Sequence, residues 1–392
     1  MSKGAQEDEA GNKQQDLIQA CAQGKAEAVQ TLLNTDNVDV NQAKNDGRTP
    51  LYVASQNGHA EVVAMLLAKQ GVDVNQAKND GGTPLCVASE SGHAEVVAML
   101  LAKQGVDVNQ AMNDGQTPLY IASYLGRAEV VSMLLATQGI DANQSVEDGA
   151  TPLFIASHEN HAEVVAILLA KQGVDVNQAA YSGITPLLMA SLKGHAAVVS
   201  VLLGKQGVKV NQSTKDGITP LFIASEKGHA EVVTMLLLAN PSADANLAAN
   251  NDCTPLCIAS LYGHAEVVSM LLVTQGVDVN RATDVGGTPL YMAIVKGHAE
   301  VVSMLLAKQG VDVNQATNDG RTPLFMASYK GNARVVSMLL AKQGINVNQT
   351  AEDGATPLYI ASEKGHAEGV SMLLAKQGVK VNQATNNGAT PL

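Results

Sequence analysis

The sequence predicts an all-α solenoid in which short helix-turn-helix repeats stack side by side and carry projecting β-turn or hairpin loops. The first observation is that Thr-Pro-Leu occurs eleven times, and the second is that neighbouring copies are 34 residues apart except for one interval of 35. A fixed period between about 20 and 50 residues is typical of repeat proteins. The copies begin at Thr49, Thr83, Thr117, Thr151, Thr185, Thr219, Thr254, Thr288, Thr322, Thr356 and Thr390.

The repeat that begins at Thr83 shows how its first helix is predicted. Thr83 can cap free backbone N–H groups, and proline at the next position has a preset φ and no N–H that needs a partner. A helix is therefore expected from Pro84 to about Ser91. Gly92 follows it and can adopt the left-handed conformation that ends many helices.

A second helix is expected from Ala94 to about Lys103, because apolar residues recur there at helical spacing. The extended residues after it lead to Asn113-Asp114-Gly115, a strong turn signal. Isolated helices of fewer than about 12 residues are marginal in water. Each helix pair must therefore be stabilised by packing on the neighbouring pairs.

The repeat pattern also predicts the main boundaries of the chain. Residues 1–13 are expected to be a disordered tail, and the solenoid is expected to span 14–389. Its first repeat, 14–47, keeps the two-helix pattern without Thr-Pro and has more polar residues on its outer side, which is typical of a capping repeat. Ten full repeats are expected at 48–389.

Two places depart from this regularity. Residues 238–253 include Pro241 and the additional residue of the 35-residue interval, so an irregular loop is expected there. Residues 390–392 are the start of another unit, which predicts either a truncated chain or an end covered by something else.

The composition argues against several classes of function. The net charge is −12, with 25 Lys plus Arg against 37 Asp plus Glu, which disfavours general binding to nucleic acid or anionic membranes. No segment approaches the roughly 20 apolar residues that span a bilayer. A monomeric protein of the cytoplasm or nucleus is expected, with reduced thiols at its four cysteines, Cys21, Cys86, Cys253 and Cys257.

No catalytic residue, cofactor or metal site is predicted. Eight of the nine histidines hold one position of the repeat, so neighbouring copies are about 8–10 Å apart and too distant to share a metal ion. A structural role at the turn between the helices is expected for them. Cys253 and Cys257 bracket one Thr-Pro-Leu, which is a weak metal signal, and enzymatic activity is not expected.

The unit from Thr83 to Gly115, TPLCVASESGHAEVVAMLLAKQGVDVNQAMNDG, resembles the ankyrin repeat. The similarity extends from about Gln14 to the end of the chain. One departure is that the histidine usually found after Thr-Pro-Leu is replaced here by Tyr, Phe, Cys or Leu, which predicts apolar packing instead of a hydrogen bond between repeats. The resemblance implies a protein-binding scaffold whose partners usually dock in a concave groove.

The most variable positions are the two that precede the glycine after the first helix, and the resemblance implies that they face the groove. Aromatic and apolar residues at these positions are candidate interface anchors. Lysines there form a ladder in the C-terminal half. The candidate partner-binding residues are Tyr124, Leu125, Leu192, Lys193, Lys227, Leu261, Tyr262, Lys296, Tyr329, Lys330 and Lys364.

Two interpretations of the lysine ladder remain open from the sequence. The lysines could bind an extended peptide of acidic or mixed character, or they could be solvated residues that favour a helix C-terminus. Glu226 and Glu363 would partly neutralise the lysines that follow them. Turn-tip residues form a second variable surface, at Arg48, Gln116, Tyr181, Ile184, Ile218 and Arg321.

The leading functional hypothesis is a noncatalytic scaffold that binds a partner protein or peptide through the groove and the turn tips. One alternative is a regulatory or targeting segment of a longer enzyme or channel. Another is a protein exported into a host cell.

Overall fold

The computed structural model describes residues 3–35, 38–239 and 242–391, and within them it contains 22 α-helices and no β-strand. Contacts divide the chain into two compact units. Unit 1 comprises residues 1–190 and 200–208, and unit 2 comprises residues 191–199 and 209–392. The predicted all-α repeat architecture is confirmed.

Each full repeat contributes two short helices, and two more helices precede them. The leading pair is α1 (Lys3–Ala22) and α2 (Ala26–Leu33). The first helices of the ten full repeats are α3 (Pro50–Gln56), α5 (Pro84–Ser91), α7 (Pro118–Tyr124), α9 (Pro152–His158), α11 (Pro186–Lys193), α13 (Pro220–Lys227), α15 (Pro255–Tyr262), α17 (Pro289–Lys296), α19 (Pro323–Tyr329) and α21 (Pro357–Glu363). The second helices are α4 (Ala60–Ala68), α6 (Ala94–Ala102), α8 (Ala128–Ala136), α10 (Ala162–Ala170), α12 (Ala196–Leu203), α14 (Ala230–Leu238), α16 (Ala265–Val273), α18 (Ala299–Ala307), α20 (Ala333–Leu340) and α22 (Ala367–Leu374).

The threonine of Thr-Pro-Leu caps the first helix, as predicted. In α17, the Thr288 hydroxyl accepts a hydrogen bond from the Tyr291 backbone N–H at 3.2 Å, and proline takes the first helical position. This arrangement satisfies one of the free donors at the helix start. It recurs with distances of 3.1–3.2 Å in the helices that follow Thr49, Thr83, Thr117, Thr151, Thr185, Thr219, Thr254, Thr322 and Thr356.

Stacking buries the apolar positions of both helices. Within unit 1, α3 packs on α5 and α5 on α7, and within unit 2 α15 packs on α17 and α19 on α21. Leu85, Val97 and Leu100 are at most 1% exposed, as the sequence predicted. The residue after Thr-Pro-Leu packs in the same way: Phe325 lies in an apolar cluster with Ala351 of its own repeat and Ile360 of the next repeat.

Recurring polar side chains join each repeat to its neighbour. The Asn280 side-chain amide donates to the Gly310 carbonyl at 2.7 Å, and its oxygen accepts from the Asp312 N–H at 2.8 Å. The Lys308 ammonium donates to the carbonyl of Leu272, near the end of the preceding second helix, at 2.6 Å. Since a hydrogen bond contributes about 0.5–1.5 kcal/mol net, each such pair adds modestly and the set fixes the register of the stack.

The amino-terminal segment differs from the prediction. Helix α1 begins at Lys3 and continues to Ala22, so residues 3–13 are helical where a disordered tail was expected. Near its other end, Leu17, Ile18 and Cys21 are at most 2% exposed. A helix that is fixed by packing at one end extends readily through good helix formers such as Ala, Gln, Glu and Lys.

The irregular loop predicted at 238–253 is only partly described, because residues 240–241, and so Pro241, lie outside the described residues. Helix α14 ends at Leu238. Further on, Asp252 stands where other repeats have a turn glycine, and its φ is 58°. Of the predicted segment 390–392, residue 392 also lies outside the described residues.

Two glycines of the last full repeat should respond to alanine substitution in opposite directions. Gly369 lies inside α22, and a Cβ atom there would meet nothing closer than 4.0 Å. We expect Gly369→Ala to raise the free energy of unfolding by about 1 kcal/mol, through the better helix propensity of alanine. Gly365 has equal room but a φ of +74°, so Gly365→Ala should lower it by about 1–2 kcal/mol. Urea unfolding of the two variants measures both, and stabilisation by Gly365→Ala would contradict this account.

Candidate functional site

The variable pair lies at the C-terminal end of each first helix. In unit 2 the second member of the pair is exposed in every repeat. We call these positions the rung residues: Lys193, Lys227, Tyr262, Lys296, Lys330 and Lys364. Because they recur once per stacked helix pair, they form a row of exposed side chains along unit 2.

Histidines from neighbouring repeats hold the backbone beneath this row. His264 Nε2 donates to the carbonyl of Glu226 at 2.8 Å, and His298 Nε2 donates to the carbonyl of Leu261 at 3.0 Å. His366 makes the same bond to Tyr329 at 3.0 Å. The predicted structural role is therefore specific: each of these histidines fixes the carbonyl that precedes a rung residue.

The glycine after each first helix allows this contact. Gly263 has a φ of +77°, and a Cβ atom there would lie 2.5 Å from the His298 ring. An L-residue would therefore be strained and would also overlap the imidazole. The glycine was predicted from its helix-ending conformation, but the close approach of the next histidine was not.

Three of the candidate residues are exposed tyrosines. Tyr262 and Tyr329 in unit 2 are 52% and 41% exposed, and Tyr124 in unit 1 is 44% exposed. The Tyr262 ring stacks on His264, with ring centroids 6.2 Å apart. The Tyr329 ring has the ammonium groups of Lys330 and Lys364 at 6.0 Å and 5.4 Å from its centroid, within the range of cation–π attraction.

The lysine ladder separates into two kinds of charge. The Lys227 ammonium lies 2.9 Å from the Glu226 carboxylate, and that of Lys364 lies 3.2 Å from Glu363. These pairs confirm the expected neutralisation. Among the residues the structure describes, no carboxylate lies within ion-pair distance of the other three lysines of the ladder, which are Lys193, Lys296 and Lys330.

The three candidate leucines are less accessible than predicted. Leu125, Leu192 and Leu261 are half-buried, although exposed apolar groups were expected. Leu192 and Leu261 hold the first position of the pair, where the carbonyl is covered by the histidine of the next repeat, His229 or His298. The tyrosines therefore offer more apolar surface to a partner than the leucines.

Several turn-tip side chains are engaged within their own turns. Arg48 pairs with Asp46 at 2.7 Å and Arg321 with Asp319 at 3.2 Å, while the Gln116 amide donates to Asp114. Isoleucine side chains at two tips are half-buried, with Ile184 packed in the cluster around Phe154 in unit 1 and Ile218 in the cluster around Phe222 in unit 2. Tyr181 differs from these, since it is 77% exposed.

The paired cysteines are buried together in unit 2. Cys253 and Cys257 lie in one apolar cluster with Phe222. The interaction between the two neighbouring thiols raises the pKa of Cys257, as does burial, and it lowers the pKa of Cys253. All four cysteines are free, and no group of three metal-binding side chains is present among the described residues.

The stacked helix pairs, with constant buried positions and a variable exposed row, define the class of helical repeat proteins. Within the described part of the chain, no helix is long and apolar enough to cross a membrane. A family model described as ankyrin repeats (3 copies) matches residues 3–78, 70–146, 104–180, 138–214, 187–283, 238–317 and 271–351. A second model, described as ankyrin repeats (many copies), matches 338–392. The chain belongs to the ankyrin repeat family, whose members are protein–protein interaction modules. None of the curated proteins compared with it matches.

Proposed function

We propose that this chain is a noncatalytic scaffold that binds an acidic segment of a partner protein along the rung residues of unit 2. The observation that carries the proposal is the combination of exposed tyrosines and unpaired lysines in one row. Tyr262 is 52% exposed, and Lys296 follows in the next repeat without an acidic partner among the described residues. Aromatic anchors of this kind dominate binding energy at protein interfaces.

The charge of the row supports an acidic partner. The whole chain has a net charge of −12, yet five of the six rung residues are lysines. Among the described residues, no carboxylate lies within ion-pair distance of Lys193, Lys296 or Lys330, so a carboxylate supplied by a partner would meet a charge that has no close counterion. Nucleic acid, being anionic throughout, is disfavoured by the overall negative charge.

A binding role rather than catalysis is supported by how the recurring polar residues are used. Histidine, asparagine and lysine at constant positions donate to backbone carbonyls of neighbouring repeats. Their polar atoms are thereby engaged in holding the stack. We also propose that the protein is a monomer and that it is located in the cytoplasm or nucleus; the four free cysteines support this location.

The test is a selection of displayed peptides on the whole chain, followed by affinity measurements with the Tyr262→Ala/Tyr329→Ala variant. Selected peptides should bind this variant at least about tenfold more weakly, because an interface aromatic contributes on the order of 1–2 kcal/mol. The melting temperature should be nearly unchanged, since both tyrosines are exposed.

Tyr181→Ala is the matched control, because Tyr181 is an exposed tyrosine outside the row. It should leave the affinity of the same peptides unchanged. Equal losses of affinity in the control and the double variant, or a parallel loss of thermal stability in the double variant, would defeat the proposal.

A further inference from the structure

We infer that the partner segment is a polyproline II helix with an acidic side chain at every third position, in register with the lysines of consecutive repeats. The inference rests on the proposed function and specifies the partner of the same surface. It concerns the last four rung residues of unit 2, which are Tyr262, Lys296, Lys330 and Lys364.

The spacing of the rungs is set by the stacking of the first helices. α17 packs on α19 and α19 on α21, and packed helices lie about 8–10 Å apart. Lys296, Lys330 and Lys364 hold the same position in these successive repeats, so their attachment points follow that spacing.

The ring of Tyr329 relates two neighbouring rungs directly. Its centroid lies 6.0 Å from the Lys330 ammonium of its own repeat and 5.4 Å from the Lys364 ammonium of the next repeat. The distance between the two ammonium nitrogen atoms therefore cannot exceed the sum of their distances to this centroid. Both ammonium groups are drawn to one ring, which limits their freedom.

A polyproline II helix matches this spacing. It has about three residues per turn and rises about 3.1 Å per residue, so side chains three positions apart share a face and are separated by about 9 Å. In a β-strand, by contrast, side chains on one face are two residues, or about 6.6 Å, apart. Carboxylates at every third position can therefore pair with Lys296, Lys330 and Lys364 in turn, with the weakest attraction at Lys364, because the Glu363 carboxylate already lies 3.2 Å from its ammonium group.

The rung residues also predict which type of residue precedes the acidic positions of the partner segment. Tyr262 interrupts the lysines one repeat before Lys296, and its exposed ring is stacked on His264 rather than covered. An apolar residue three positions from the first acidic residue would lie over this ring. The expected segment thus has one apolar residue followed by three acidic residues. Each of the four residues is separated from the previous one by three positions in the sequence.

Two synthetic peptides of identical composition test the spacing. Both contain one leucine, three glutamates and prolines elsewhere, with the glutamates at every third position in one and at every second position in the other. Fluorescence anisotropy with the full chain at low salt should show the first peptide binding at least about fivefold more tightly, since one mismatched exposed ion pair changes affinity about two- to fivefold. Lys330→Gln should reduce the ratio of the two affinities, because it removes the central rung.

Equal affinity of the two peptides, with both weakened by Lys330→Gln, would overturn the spacing and leave the proposed function standing. Tighter binding of the second peptide, or no binding of either peptide, would also overturn the inference. The proposed function is tested separately, by the peptide selection with the tyrosine variant, so the two failures are distinguishable.

Discussion

Gly263→Ala is expected to lower the free energy of unfolding by about 2–5 kcal/mol. The left-handed conformation costs an L-residue about 1–2 kcal/mol. Overpacking against a fixed neighbour adds about 1–3 kcal/mol, and here the new Cβ atom would lie 2.5 Å from the His298 ring. Urea unfolding of the full chain, followed by circular dichroism, measures the loss.

Gly297→Ala separates the two causes. Gly297 has a φ of +79°, close to the +77° of Gly263, but a Cβ atom there would meet nothing within 4 Å. The next repeat has Asn332 in place of histidine, and its side chain caps its own helix instead. Gly297→Ala should therefore cost only about 1–2 kcal/mol.

A double variant tests the overlap with His298 directly. In the His298→Asn background, which reproduces the natural pairing of Gly297 with Asn332, Gly263→Ala should cost about as little as Gly297→Ala. The difference between backgrounds is a coupling free energy between the two sites. Equal destabilisation by Gly263→Ala in both backgrounds would show that overlap with the His298 ring is not the reason why glycine is required at position 263.

Reversing the charge of two rung residues should have the largest effect on binding. Lys296→Glu with Lys330→Glu replaces two attractions, each worth up to about 1 kcal/mol, with repulsions of similar size. The affinity for an acidic segment should fall about 30-fold or more. Stability should be little affected, because neither lysine has an acidic partner within the described residues.

Lys227 can be compared with Lys296 to test whether an internal ion pair weakens the contribution of a rung lysine to binding. It holds the same position of the repeat as Lys296, but its ammonium group pairs with Glu226 at 2.9 Å. Lys227→Gln should weaken binding less than Lys296→Gln, and it should change the salt dependence less. The opposite order would mean that the internal ion pairs do not decide which rungs are available.

The elements that could be predicted from sequence are those whose causes are local. A Thr-Pro pair sets a helix start within four residues, and the Thr288 cap on Tyr291 follows that rule. The start of α1 was not predictable in this way, because burial of Leu17 and Ile18 depends on packing against other helices. Local polarity alone favoured a disordered tail.

The candidate site was predicted as a set of positions but not as a set of interactions. The variability of the repeat locates the rung residues, and adjacency in sequence indicates the Lys364–Glu363 pair. The hydrogen-bond partner of His298 is a backbone carbonyl 37 residues earlier. Every residue has such a carbonyl, so the sequence alone does not identify this partner. For the same reason the convergence of Lys330 and Lys364 on Tyr329 becomes visible only when successive repeats are stacked.

The most direct test of acidic-segment binding along the rung residues is a charge swap. The dissociation constants of the period-three glutamate peptide and of its lysine counterpart are measured against the unaltered chain and against the Lys296→Glu/Lys330→Glu variant. The unaltered chain should prefer the glutamate peptide, and the variant should prefer the lysine peptide. If both proteins show the same preference, the rung lysines do not select the partner and the account is contradicted.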